Sequence, residues 1–174
     1  THDLASSAYN RRREECEQGV ESLQAIKPDI SSLRDATLDD LEQIQAKITD
    51  EVYRRCLHVI EENQRVLDAT RALQAGDLAT LGQLMYLSHS SLSKQYEVSC
   101  PEMDFLVDLA RKEPGVLGSR MMGGGFGGCT ISLVKKTVRE AFVHKVSDAF
   151  RESYGITPTP YTVQTANGTS TMAE

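Results

Sequence analysis

The sequence has few of the residues that form disulfide bonds or bind a metal. It contains no tryptophan and four cysteines, and the cysteines (Cys16, Cys56, Cys100 and Cys129) form no CxxC pair. This spacing suggests neither a zinc ribbon nor a disulfide framework, and free thiols suit a reducing compartment. Cys56 and His58 lie two residues apart, and side chains at that spacing on a helix diverge. We therefore expect a core thiol, a surface or capping imidazole and no metal site.

An excess of positive charge and long apolar runs are also missing. The net charge of −6 and a pI near 5.3 argue against binding to a phosphate backbone. No apolar run approaches the ~20 residues of a membrane helix, and no basic segment followed by an apolar one begins the chain. We expect one domain over the 174 residues, a cytoplasmic location, and no nucleic-acid or membrane partner.

Apolar residues at three- and four-residue spacing predict about five helices before residue 114. The first helix covers 7–26 and the third covers 52–73. The second begins at a capping box of Thr37 and Asp40, the fourth at a cap by Asp77, and the fifth at a capping box of Ser99 and Glu102. Several apolar residues of the third and fourth helices are expected to face inward, namely Val66, Leu73, Leu78, Leu81, Met85 and Leu92.

After Pro114 the periodicity changes from helical to alternating. Residues 129–134 alternate as a strand does, and Thr137 with Glu140 predicts a capping box for a last helix that Gly155 ends. Residues 156–163 contain Pro158 and Pro160, which permit only an edge strand or the approach to one. The fold class is therefore predicted to be α+β.

Residues 123–128 hold five glycines around Phe126. They match GxGxxG, but the residues after them alternate like a strand, whereas a dinucleotide fingerprint needs a helix there. A flexible hairpin remains one interpretation, although ordinary hairpins need one or two glycines. The other is a backbone that lies against a ligand or a neighbouring backbone, with Phe126 as the anchor.

Four segments resemble motifs of the GHMP kinases in the version found in galactokinases. The glycine segment GSRMMGGGFGGC is similar to GSRMTGGGFGGC, and LASSAYNRRREEC is similar to LASSEYNxRRxxC. HVIEENQRV resembles RHVxxENxR, and SHSSLSKQYEVSCPEMD resembles SHxSLRDDYEVSCPELD. The matches follow the family order over roughly residues 2–154, with departures at Met122, at Lys94 and Gln95, and at Cys56 and Leu57.

The resemblance implies a GHMP-kinase C-terminal domain over residues 1–174, a helix-rich ferredoxin-like fold on a small, mostly antiparallel sheet. Galactokinases are about twice as long. Their N-terminal half carries GRxNLIGEHTDY, GLSSSA and the catalytic aspartate and arginine, which have no counterpart here. The resemblance thus implies that no catalytic residue lies on this chain, that ATP and Mg²⁺ bind mainly to the absent N-terminal domain, and that the chain alone is inactive.

The resemblance also assigns residues to a cleft between the two halves. Tyr9 would contact galactose, and Gly123, Gly124, Gly125, Phe126, Gly127 and Gly128 would form one cleft wall. Arg120 would either meet charge near the phosphates or form a surface salt bridge. For Arg11, Arg12 and Arg13 we expect a solvated helix face, and for His89 and Glu97 a capping or packing role.

Two other functions fit the same resemblance. Some relatives of galactokinases are non-catalytic, galactose-sensing regulators, and others phosphorylate a related sugar such as N-acetylgalactosamine. The serine-rich loop and most of the sugar pocket would lie upstream of this chain, so those alternatives stay open here.

Overall fold

The computed structural model describes residues 2–166 and 168. Six α-helices and one strand hairpin follow each other in the order α1 His2–Gln24, α2 Leu38–Ile44, α3 Asp50–Gln74, α4 Leu78–Lys94, α5 Pro101–Lys112, β1 Val116–Met122, β2 Cys129–Val134 and α6 Arg139–Tyr154. Short 3₁₀ turns cover Gln45–Lys47 and Lys136–Val138. The predicted α+β class, rich in helix with a small antiparallel sheet, is confirmed.

Local polar residues set most helix ends. The capping box at Thr37 and Asp40 is confirmed, since each side chain bonds the other residue's backbone N–H. Asp77 caps α4, and Gly76 and Gly155 adopt left-handed φ angles of 69° after α3 and α6.

The other two predicted capping boxes are wrong. Cys100 is the N-cap of α5 and makes no side-chain cap bond, because Pro101 already takes a first-turn position whose N–H needs no partner. The Ser99 hydroxyl donates instead to Asp104 Oδ1 at 2.6 Å. Thr137 lies within the 3₁₀ turn, so α6 begins only at Arg139.

The main core lies between α1, the loop after it, α2 and the first half of α3. Its buried side chains include Leu23, Ile30, Leu33, Leu41, Ile44, Val52, Cys56 and Ile60. Beyond Ile60 only Ala72 of α3 is buried. The predicted inward placement of Val66, Leu73 and Leu78 is therefore wrong, because the apolar stripe continues past the end of the core and those side chains are exposed.

Helix α4 packs directly on strand β1 through two glycines. A Cβ on Gly82 would lie 2.0 Å from the carbonyl oxygen of Leu117, and one on Gly118 would lie 2.5 Å from the Gly82 Cα. The absence of both side chains lets the helix and the strand touch backbone to backbone. The strand is thereby fixed just before the glycine loop, which joins Met122 to its β2 partner Cys129.

Residues 156–163 form no strand, so the predicted edge strand is wrong. Pro158 and Pro160 supply no N–H donor to a ladder, and Ile156, Tyr161 and Val163 are exposed. Among the described residues the sheet has only the strands β1 and β2. Within the same part of the chain, none of the helices combines the length and apolar character needed to cross a bilayer.

Candidate functional site

The segment 123–128 is a hairpin loop with an unusual backbone. Four of its glycines have positive φ angles, and Phe126, which has a Cβ, is also left-handed at 59°. That conformation costs an ordinary residue roughly 1–2 kcal/mol, so the surrounding contacts must hold it in place.

Those contacts come from Val98, in the connection between α4 and α5. A Cβ on Gly125 would lie 2.2 Å from the Val98 carbonyl oxygen, and the backbone N–H of Phe126 donates to that same oxygen at 2.7 Å. The Phe126 ring packs on a small cluster of Val98, Met103 and Met121. Of the two interpretations of the glycines, close approach to a neighbouring backbone is confirmed at Gly125.

Tyr9 lies beside this loop. Its side chain, on the first helix, is 58% exposed. A Cβ on Gly124 would lie 3.9 Å from Tyr9 Cδ2, which is van der Waals distance. Tyr9 also lines a cavity of about 310 Å³, together with Arg13, Cys16, Glu17, Val20, Leu33, Val59 and Tyr96. The structure therefore brings together Tyr9 and the glycine loop, which are far apart in sequence.

Arg120 faces a different part of the molecule. Its Nη1 lies 3.4 Å from Glu62 Oε1, and its Nε donates to the Met121 carbonyl at 3.1 Å. Because neighbouring residues of a strand point to opposite faces, Arg120 points away from the face on which Met121 packs under Phe126. Of the two expectations for Arg120, the structure shows the salt bridge.

Arg12 is buried, so the expected solvated face is wrong for this residue. Its guanidinium donates to the carbonyl oxygens of Tyr96 at 2.5 Å and Glu97 at 3.2 Å, and it pairs with Glu15 at 2.9 Å. Arg13, by contrast, is exposed and pairs with Glu17 as expected. Periodicity cannot separate the two arginines, because the carbonyl partners of Arg12 lie more than 80 residues away.

Glu97 has a structural role, in line with the expectation of capping or packing. Its carboxylate accepts hydrogen bonds from Arg54 and Arg55, which hold its pKa at about 2. Its backbone is left-handed at a φ of 54°. The backbone of Glu97 is therefore strained, and the hydrogen bonds from Arg54 and Arg55 stabilise that conformation.

Two buried histidines support the segments around the loop. His89 Nδ1 accepts from the Met121 N–H at 3.2 Å, and its Nε2 lies 3.1 Å from Asp104 Oδ1. His58 bonds Ser91 Oγ at 2.8 Å, and its ring centroid is 4.5 Å from that of Tyr96. The expected surface or capping role for His58 is wrong, because the side chain is 5% exposed and burial lowers its pKa to about 4.

We expect His58 to make the protein acid-sensitive between pH 6.5 and 4. In the unfolded chain His58 has a pKa near 6.5 and becomes protonated within this window, whereas in the folded protein it stays neutral. The free energy of unfolding therefore falls as pH falls through this window. At pH 5 the loss is about 2 kcal/mol relative to pH 7. Urea unfolding at both pH values, in the wild type and in His58→Gln, measures it. An equal decline in both proteins contradicts the assignment.

Within residues 2–166 and 168, no group of three or more His, Cys, Asp or Glu side chains could hold a metal ion. The site consists of the exposed Tyr9, the glycine loop held by Val98, and the buried polar side chains of Arg12, His58 and His89 that support the segments around them.

The fold is a helix-rich α+β domain in which a glycine hairpin loop lies beside an exposed tyrosine. Residues 69–152 match the family model "GHMP kinases C terminal". Over these residues the chain is similar to the C-terminal domain of GHMP kinases.

Similar proteins extend the match to nearly the whole chain. The galactokinase of Roseiflexus sp. (strain RS-1) is 45% identical over 165 residues, which are 95% of this chain and 42% of the relative. The galactokinase of Thermotoga maritima is 42% identical over 96% of this chain and 45% of its own length. The crystal structure of Lactococcus lactis galactokinase complexed with galactose has a TM-score of 0.82 at 36% identity, over 87% of this chain and 39% of that one. The chain spans less than half the length of these relatives.

Proposed function

We propose that the chain is the C-terminal half of a galactokinase, which transfers the γ-phosphoryl group of ATP to the anomeric hydroxyl of galactose and forms galactose 1-phosphate. The observation that carries this proposal is the meeting of Tyr9 and the glycine loop, in a chain 41–45% identical to galactokinases over at least 95% of its length. The galactose complex of the L. lactis enzyme supports the choice of sugar. We place the reaction in the cytoplasm, where ATP is available and free thiols stay reduced.

In this proposal the chain supplies one wall of the cleft. The exposed Tyr9 ring contacts galactose, and residues 123–128 hold a rigid surface beside the sugar and the phosphates. Phosphoryl transfer depends mainly on positioning and on electrostatic stabilisation, so a rigid wall contributes to rate without taking part in bond changes. Arg120, which pairs with Glu62, remains a candidate for the phosphate side of the cleft.

The remaining groups belong to an N-terminal domain, which we propose as the partner of residues 1–174. That domain would bind ATP and Mg²⁺ and carry the catalytic aspartate and arginine. Mg²⁺ would neutralise charge on the transferred phosphoryl group, as in other phosphoryl transfers.

Tyr9→Ala in the complete protein tests the sugar assignment. We expect kcat/KM for galactose to fall by roughly 10- to 100-fold, which corresponds to a lost contact of about 1–3 kcal/mol, while the KM for ATP stays within about twofold. Tyr9→Phe separates the ring from the hydroxyl. Glu21→Ala, at an exposed position of the same helix, is the control for general damage to α1. A changed ATP constant with an unchanged galactose constant would assign Tyr9 to packing.

A further inference from the structure

Arg55 is a charged side chain with no exposed surface, in the second turn of α3. It bonds Glu15 Oε2 at 2.9 Å and Glu97 Oε2 at 2.6 Å, and it donates to the main-chain carbonyl of Gln95. Replacing a buried ion pair by apolar side chains is often neutral for stability, so burial alone does not explain the residue.

The targets of the arginines form a consecutive series. The carbonyl oxygens of residues 94–97 each accept a hydrogen bond from an arginine, from Arg54 at Lys94, from Arg55 at Gln95, and from Arg12 at Tyr96 and Glu97. The next carbonyl in the series, that of Val98, accepts the N–H of Phe126. We call residues 94–98 the cradle segment.

The cradle segment links both parts of the site. Arg12 lies three residues after Tyr9 on α1, so its two bonds to the cradle segment fix the helix that carries the tyrosine. Val98 fixes the loop through Phe126 and Gly125. The left-handed backbone at Glu97 shows that this path is not one the segment would adopt without support.

We propose that Arg55 is a positioning residue for phosphoryl transfer. By holding the cradle segment in place, Arg55 keeps the glycine loop against Tyr9. This inference rests on the proposed galactokinase function. A displacement of about 1 Å at a reacting centre can cost ~100-fold in rate, so a lost cradle bond acts on turnover without touching the substrate.

Arg55→Lys in the complete protein tests the proposal. Lysine keeps the positive charge between Glu15 and Glu97, but a single ammonium group lacks the planar fork that also reaches the Gln95 carbonyl. We expect kcat for galactose to fall about 10- to 100-fold while the KM for ATP changes less than about twofold. We also expect the Phe126 amide to exchange with solvent at least tenfold faster, since its bond to Val98 is no longer held.

Arg65→Lys is the matched control. Arg65 lies on the same helix, is largely buried and also pairs with two carboxylates, those of Glu61 and Glu62. Neither carboxylate bonds the described residues of the cradle segment. It should lower stability without changing kcat or the exchange of the Phe126 amide.

The outcomes separate the inference from the proposed function. If Arg55→Lys loses only stability, and kcat and the Phe126 amide match the Arg65→Lys control, the inference is overturned. If the wild type makes no galactose 1-phosphate, the proposed function fails, and amide exchange still tests the cradle. Should Arg55→Lys not fold, Glu97→Gln takes its place, because that side chain is 41% exposed and its replacement is mild. It should speed Phe126 exchange in the same way, and an unchanged rate overturns the inference.

Discussion

Gly125→Val is expected to reduce turnover of the complete protein at least 100-fold and to lower its melting temperature. The valine needs a left-handed backbone at a φ of 86°, and its Cβ would lie 2.2 Å from the Val98 carbonyl oxygen. Strain of roughly 1–2 kcal/mol is added to a backbone clash that only a displaced loop relieves. Because the loop is peripheral to the main core, turnover should fail before the fold does.

Gly123→Val is the matched control for this experiment. Gly123 has the same φ of 86°, but a Cβ there meets nothing within 4 Å. Its cost is therefore conformational strain alone, and the difference between the two variants measures the close approach to Val98. Equal effects on turnover and melting temperature, or a fully active Gly125→Val with a raised melting point, would show that the loop is merely a flexible hairpin.

Gly82→Ala is expected to destabilise the protein by about 3 kcal/mol, against the usual sign for this exchange. Glycine to alanine inside a helix normally stabilises by about 1 kcal/mol. Here the added methyl group would lie 2.0 Å from the Leu117 carbonyl oxygen, so α4 must separate from β1. Urea unfolding measures the change in the free energy of unfolding.

Gln83→Ala, at an exposed position of the same helix, should change that free energy by less than about 0.5 kcal/mol. A Gly82→Ala variant as stable as the wild type, or more stable, would mean that the backbone contact between α4 and β1 relaxes at little cost. The account of how β1 is placed before the loop would then be wrong.

The features that the sequence predicts well are set by local interactions. The capping box at Thr37, the glycine stop at Gly76 and the strand 129–134 each depend on residues within a few positions of each other. The density of glycine around Phe126 likewise indicates a constrained backbone, although it does not identify Val98 as the residue that the loop contacts. The family motifs added the fold and the place of Tyr9.

The features that the sequence does not predict depend on distant partners. The burial of Arg12 and Arg55 follows from the cradle segment, which lies about 40 to 85 residues away. Val66 and Leu73 continue the apolar period of α3 although the core ends before them, and a periodicity argument contains no such limit. For residues 156–163, Pro158 and Pro160 still allow an edge strand, but they remove two N–H donors and the segment forms no strand.

The most direct test of the central claim is the formation of galactose 1-phosphate from galactose and ATP, followed by ³¹P NMR, for the 174-residue chain and for the complete protein. We predict that the 174-residue chain is folded and helical but makes no product, and that the complete protein forms product. Galactose-dependent product from the chain alone would contradict the division of the site between two halves. A complete protein that binds galactose but makes no product would contradict the galactokinase assignment and favour a galactose-sensing regulator.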